Sequence, residues 1–180
     1  MRREIRFAGF GGQGIILAGL VTGRAAALHD GREAIVTQSY GPEARGGACS
    51  AQVVLDDAPI DYPMVTRPDV LVVMSQEAAQ RYTADLADDC AVLIDRDLVE
   101  LRPQPGWKLY AIPATALAER LGNRMAANVV MLGFFTAVTN LVSREAMEAA
   151  VRESVRERFI ELNLRAFDAG YRYYREEAAS

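Results

Sequence analysis

Gly9, Gly11 and Gly14 fall at the spacing G-x-G-x-x-G, and Gly12 adds a fourth glycine to the same turn. Such a turn leaves backbone N–H groups unobstructed at a helix start, where the positive end of the helix attracts phosphate or another anion. The same residues also suit a tight strand-to-helix turn that needs positive φ and nothing more. A second cluster, Tyr40, Gly41, Pro42, Glu43, Arg45 and Gly46, gathers a ring, a carboxylate and a guanidinium on a loop fixed by glycine and proline. An arginine among glycines suits bidentate contact with phosphate or carboxylate. The alternative is an exposed loop closed by a Glu43–Arg45 pair worth about 0–1 kcal/mol. Asn128 is the one strongly polar residue in the first turn of a long apolar stretch, either a satisfied core or capping amide or a site residue. The candidate ligand contacts are therefore Gly11, Gly12, Gln13, Gly14, Tyr40, Gly41, Pro42, Glu43, Arg45, Gly46 and Asn128.

Other chemistries are excluded by what the chain lacks. Cys49 and Cys90 are its two cysteines and His29 its single histidine. An iron–sulfur cluster normally takes four thiolates, and no zinc-ligand spacing is present. Cys90 opens an apolar strand and reads as core. His29 lies at a helix end, where a cation offsets the dipole. No nucleophile motif accompanies it, so no catalytic residue is assigned.

The elements that position these residues read as alternating strands and helices. The apolar strand Ile5–Ala8 enters the glycine turn, and a small-residue helix leaves it from Ile15 to about His29. Ala34–Gln38 is the second strand; it lacks the acidic residue that a nicotinamide-binding domain places there for the ribose. Ala48–Leu55 is a strand turned by Asp56–Pro59, with Ile60–Tyr62 as its short returning partner in a hairpin-like insert. Val70–Met74, Cys90–Ile94 and Lys108–Ile112 are buried parallel strands, with a Ser75-capped helix over Gln76–Leu86 and a short helix ending at Leu121. Residues 125–141 form a helix apolar nearly all round, which a domain of this size covers with difficulty, so part of it is expected to face another chain. Ser143 starts a further helix, and the last one shows Ile160, Leu164, Phe167, Tyr171 and Tyr174 on one face.

The expected architecture is α/β: one three-layer α/β/α domain over residues 1–180, with a mostly parallel, Rossmann-like sheet and a β-hairpin insert. Its 180 residues, 51% hydrophobic and 24% charged, suit one soluble domain. A net charge of −4 implies no nucleic-acid partner. The apolar run 125–142 is broken by Asn128, Thr136, Thr139 and Asn140, which suits a buried helix and not a membrane span. Met1-Arg2-Arg3-Glu4 leads straight into a strand, so no signal peptide is read and a cytoplasmic location is expected.

Three stretches taken together, Gly9–Gly14, Gln38–Gly47 and Ala127–Gly133, resemble the gamma subunit of 2-oxoacid:ferredoxin oxidoreductases. The resemblance runs nearly the whole chain, and Tyr40–Gly47 is worded more like the 2-oxoglutarate branch than the pyruvate branch. It implies a subunit of an enzyme that converts a 2-oxoacid and coenzyme A into acyl-CoA, carbon dioxide and two electrons for ferredoxin or another acceptor. It further implies alpha and beta partner subunits and a ferredoxin-like delta subunit in some complexes. Thiamine diphosphate, magnesium and 4Fe–4S clusters would be carried by those other chains, with no cofactor held by this one alone. This chain would act as lid and scaffold beside the coenzyme A site. The other readings are a self-contained dinucleotide-binding oxidoreductase, a purely structural assembly subunit, or a branched-chain or aryl 2-oxoacid such as phenylglyoxylate as substrate.

Overall fold

The computed structural model describes residues 1–40 and 47–177. Six strands form one sheet in the order β2-β3-β1-β4-β5-β6: β1 (Arg3–Phe10), β2 (Glu33–Tyr40), β3 (Ala48–Asp56), β4 (Val70–Val73), β5 (Cys90–Asp95) and β6 (Trp107–Ile112). The pairs β1–β4, β4–β5 and β5–β6 are parallel, while β3 runs antiparallel to both β2 and β1. The partner of β3 in the hairpin is thus β2. Ile60–Tyr62 forms no strand, because the two long neighbours already satisfy both edges of β3.

Helices α1 (Ile15–Arg24), α2 (Gln76–Tyr82), α3 (Ala114–Arg120), α4 (Ala127–Thr139), α5 (Arg144–Ser154) and α6 (Ile160–Glu177) complete the chain. A π-turn over Ala25–His29 continues α1, and α2 stops at Tyr82, well short of Leu86. Ser75 and Ser143 accept hydrogen bonds from Ala78 N–H and Ala146 N–H, so both serines cap their helices. Strand alternation sorts the core into two faces. Ile5, Phe7, Val53, Leu55, Val70 and Val72 join the large cluster with α1, α3, α4, α5 and α6, while Ala8, Leu71, Val73 and Val92 meet α2 and Val99. The three layers are therefore unequal: five helices on one side, one seven-residue helix and an irregular segment on the other.

The apolar helix α4 is covered within its own chain. Val129, Leu132 and Phe135 are buried, with the Phe135 ring edge-on to Phe7 of β1 at 5.4 Å between centroids. The expectation that α4 turns a face to another chain is corrected, apart from Met125 just before it, which is 69% exposed. The cover is α6, whose Phe167 is buried and whose Leu164, Tyr171 and Tyr174 pack on the core. The two helices touch backbone to backbone. A β-carbon on Gly133 would run into the carbonyl of Phe167, and one on Gly170 into that of Val130.

Neither carbonyl can move without displacing a helix, so Gly133→Ala is expected to lower stability by about 1–3 kcal/mol, the range of overpacked cores. Chemical denaturation of the purified chain reads this directly. An unchanged midpoint would show that the two helices are free to separate.

Candidate functional site

Three motifs that are far apart in sequence meet at one end of the sheet. Across the ladder Gly9 stands opposite Cys49, and Cys49 stands opposite Tyr40. The end of β1, the start of β3 and the end of β2 are therefore level, and both anchors of the 41–46 loop lie beside the glycine turn. Gly41, Pro42, Glu43, Arg45 and Gly46 themselves lie outside the described residues. Tyr40 is exposed, its hydroxyl donating to Gln38 Oε1 at 3.3 Å.

The glycine turn is braced from inside. Gly12 and Gly14 have φ of 94° and 75°, conformations that side chains resist. Asn128, only 4% exposed, donates from Nδ2 to the Gly14 carbonyl at 3.2 Å. That bond fixes the start of α1 to the first turn of α4. It is the one side-chain hydrogen bond Asn128 makes among the described residues. Gln13 turns inward too: Oε1 accepts from Phe10 N–H and Nε2 donates to the Met74 carbonyl, each at 2.8 Å. Phe10 ends β1 and Met74 follows β4.

This placement of Gln13 bears on the nucleotide reading. The helix after β1 covers one face of the sheet and the helix after β4 the other, so the crevice between these strand ends is where an open α/β sheet takes a dinucleotide. The Gln13 amide spans it. A small cavity of about 150 Å³ remains beneath, lined by Gln13, Met74, Leu98, Thr115 and Arg124.

On the other flank of the turn lies a groove of about 420 Å³. Leu17, Met125, Val155, Phe159 and Leu162 make its walls apolar, and Gly12, Gly14, Asn123, Asn128, Asn163 and Arg156 supply its polar groups. The starts of α1 and α4 both open here. Gly122 and Asn123 stop α3 as expected, their N–H groups donating to the Glu119 and Ala118 carbonyls, and Asn123 also caps the next turn, its Oδ1 accepting from Met125 N–H at 2.9 Å. Arg124, Arg156 and Phe159 sit in or at the start of single 3-10 turns, Arg124–Ala126 and Glu157–Phe159, which are too short to show a period in the sequence.

Behind the small cavity, Asp95 at the end of β5 is fully buried. It accepts from Thr115 Oγ1–H at 2.6 Å and Thr115 N–H at 3.1 Å, and from Asp97 N–H at 3.1 Å. Burial pushes its carboxyl above the ordinary value, and the Thr115 bonds offset part of that rise. Its geometry is that of a strut joining β5 to the start of α3.

The cysteines do not suit a metal or cluster. Cys49 belongs to the core on the α1 face and Cys90 to the core on the α2 face, so the sheet separates them. Burial raises both thiols, Cys90 to about 12. Among the described residues no three His, Cys, Asp or Glu side chains gather into a metal-binding group.

A small α/β domain that turns a braced backbone loop and an adjoining groove outward is built to present a surface. The chain belongs to the pyruvate ferredoxin/flavodoxin oxidoreductase family, whose model matches residues 4–173. It is a gamma-type subunit of a multi-subunit 2-oxoacid oxidoreductase. Over 179 residues it is 51% identical to 2-oxoglutarate synthase subunit KorC of Methanocaldococcus jannaschii, covering 98% of this chain and 96% of that one. The keto/oxoacid ferredoxin oxidoreductase gamma subunit from Geobacter sulfurreducens PCA superposes with a TM-score of 0.88 at 43% identity, covering 96% of this chain and 95% of that chain. A 2-oxoglutarate:ferredoxin oxidoreductase from Magnetococcus marinus, solved with 2-oxoglutarate, coenzyme A and succinyl-CoA, gives 0.85 at 24% identity. It covers 97% of this chain and 31% of that chain, and the likeness there is one of fold.

Thiols held this deep stay protonated and out of reach. Iodoacetamide at about pH 8 is therefore expected to leave both cysteines of the folded protein unmodified and to label both once it is unfolded. Rapid labelling of Cys90 in the native state would contradict its placement in the α2-side core.

Proposed function

We propose that this chain is the coenzyme A-side lid and scaffold of a 2-oxoglutarate:ferredoxin oxidoreductase. The substrate assignment rests on the identity with the archaeal 2-oxoglutarate synthase subunit over almost the full length of both chains. In this reading alpha and beta subunits, with a ferredoxin-like delta subunit where present, hold thiamine diphosphate, magnesium and 4Fe–4S clusters. Those groups supply decarboxylation and electron transfer to ferredoxin or a similar acceptor.

The observation that carries the lid reading is the convergence of the glycine turn, the anchors of the 41–46 loop and Asn128 at one sheet end, beside the groove. The groove's apolar walls and the Oδ1 of Asn128, unbonded among the described residues, suit a flexible arm bearing amide N–H groups, such as that of coenzyme A. An acceptor oxygen in that position disfavours a phosphate there. The anionic end of the ligand instead belongs near Arg156, which lines the groove. The chain's own work is then to bind and orient the thiol-bearing arm and to keep water from the reacting end. Each of these needs a fixed loop and no proton-transferring side chain.

The holoenzyme, co-expressed with its partner subunits, tests both parts. Turnover with 2-oxoglutarate is expected to exceed turnover with pyruvate or a branched-chain 2-oxoacid, and a preference for either of those would overturn the substrate assignment. Arg45→Ala is expected to weaken one anionic ligand, coenzyme A, by about 2–5 kcal/mol if the pair is desolvated, with Arg45→Lys recovering only part. Thiamine diphosphate content and assembly should stay unchanged. Wild-type constants for both coenzyme A and 2-oxoglutarate would take Arg45 out of the site.

A further inference from the structure

The primary amide of Gln13 is held at both its oxygen and its nitrogen inside the chain. Its oxygen takes the Phe10 N–H and its nitrogen gives to the Met74 carbonyl, while its own backbone N–H donates to the Phe10 carbonyl at 3.2 Å. Room for this arrangement exists because residue 9 is glycine. A β-carbon there would stand 2.6 Å from Gln13 Oε1. Asn128 holds the far end of the turn through the Gly14 carbonyl. Between these two fixed points Gly11 and Gly12 project, with no atom of the described residues other than their chain neighbours within 4 Å of where their β-carbons would be. The tip is the part left to meet something outside the chain.

We propose that Gln13 is a positioning residue: by tying the end of β1 to the end of β4 it fixes the Gly11–Gly12 peptide, and so sets coenzyme A affinity without touching the ligand. This rests on the reading of the turn as part of the coenzyme A site. The role needs one acceptor and one donor on the same planar group at the same length, which among side chains of this size glutamine alone provides at neutral pH. A glutamate retains the acceptor toward Phe10 N–H but, when ionised, sets an oxygen against the Met74 carbonyl. Protonated, it can donate again. The charged neighbour in the cavity beneath is Arg124, with Asp95 set behind Thr115. In a Gln13→Glu variant the ionised carboxylate would be drawn toward Arg124 and away from Met74, which breaks the clamp in the same sense.

The test compares Gln13→Glu and Gln13→Leu in the assembled holoenzyme, with coenzyme A as the varied ligand. At about pH 8 Gln13→Glu is expected to raise the KM for coenzyme A about tenfold with kcat little changed, the loss of about one hydrogen bond, and Gln13→Leu, which removes both, is expected to raise it further. Between about pH 8 and pH 6 neither variant should recover, because a carboxyl of ordinary pKa about 4.3 beside Arg124 stays ionised throughout, and Gln13→Glu should remain the milder of the two. Equal constants for Gln13→Glu and wild type at both pH values would overturn the clamp, and so would Gln13→Glu tracking Gln13→Leu at both. Gly11→Leu separates this from the underlying reading, since it fills the tip without straining the turn. If Gly11→Leu leaves the KM for coenzyme A unchanged, the coenzyme A site lies elsewhere. The clamp then stands or falls on the hydrogen-exchange protection factor of the Phe10 amide, expected to be high in wild type, lost in Gln13→Leu and largely kept in Gln13→Glu.

Discussion

The close contact of α4 with α6 is the constraint on which the rest of the arrangement depends. Because Gly133 and Gly170 carry no side chains, the two helices meet at backbone distance, and α6 seals the side of α4 that the sheet does not reach. A helix apolar nearly all round is thereby accommodated in a chain of 180 residues. With α4 held from both sides, its first turn is a fixed point in the molecule. Asn128 can then act as a rigid anchor for the glycine turn rather than a mobile amide.

The division of the sheet into two unequal faces assigns the work. The five-helix side supplies rigidity and carries the starts of α1 and α4. The α2 side is thin, and it holds Arg6, whose guanidinium pairs with Asp85 at 3.0 Å and lies 5.4 Å from the Tyr82 ring centroid. The functional end is where the two sides meet, since the turn after β1 belongs to one face and the turn after β4 to the other. One glutamine amide bridges them.

Most strands and both serine caps were legible because each is a local pattern: an apolar run bounded by turn residues, or a hydroxyl three residues ahead of an acceptor-hungry N–H. The motifs at the site were legible for the same reason, as clusters of glycine within a few residues. What was not legible is non-local. Periodicity reports that α4 is apolar all round but not what covers it, and α6 does so from some thirty residues away. The pairing of β3 with β2 and not with Ile60–Tyr62 depends on ladder partners that short-range pattern cannot rank. Gln13 sits inside a motif that reads as ligand-facing. Its inward turn follows from a space left at Gly9 and a carbonyl at Met74, sixty-one residues on.

Met74 closes β4 and Ser75 caps α2, so the residue that receives the Gln13 hydrogen bond is joined directly to the thinnest helical layer in the molecule. Displacement of the one helix covering that face would open it locally and uncover Ala78 and Ala79. Each such opening would pull on the Met74 carbonyl and slacken the far side of the turn. The glycine loop is thus coupled mechanically to an element outside its groove, and anything that pins α2, such as a neighbouring chain in the complex, would stiffen the loop from behind.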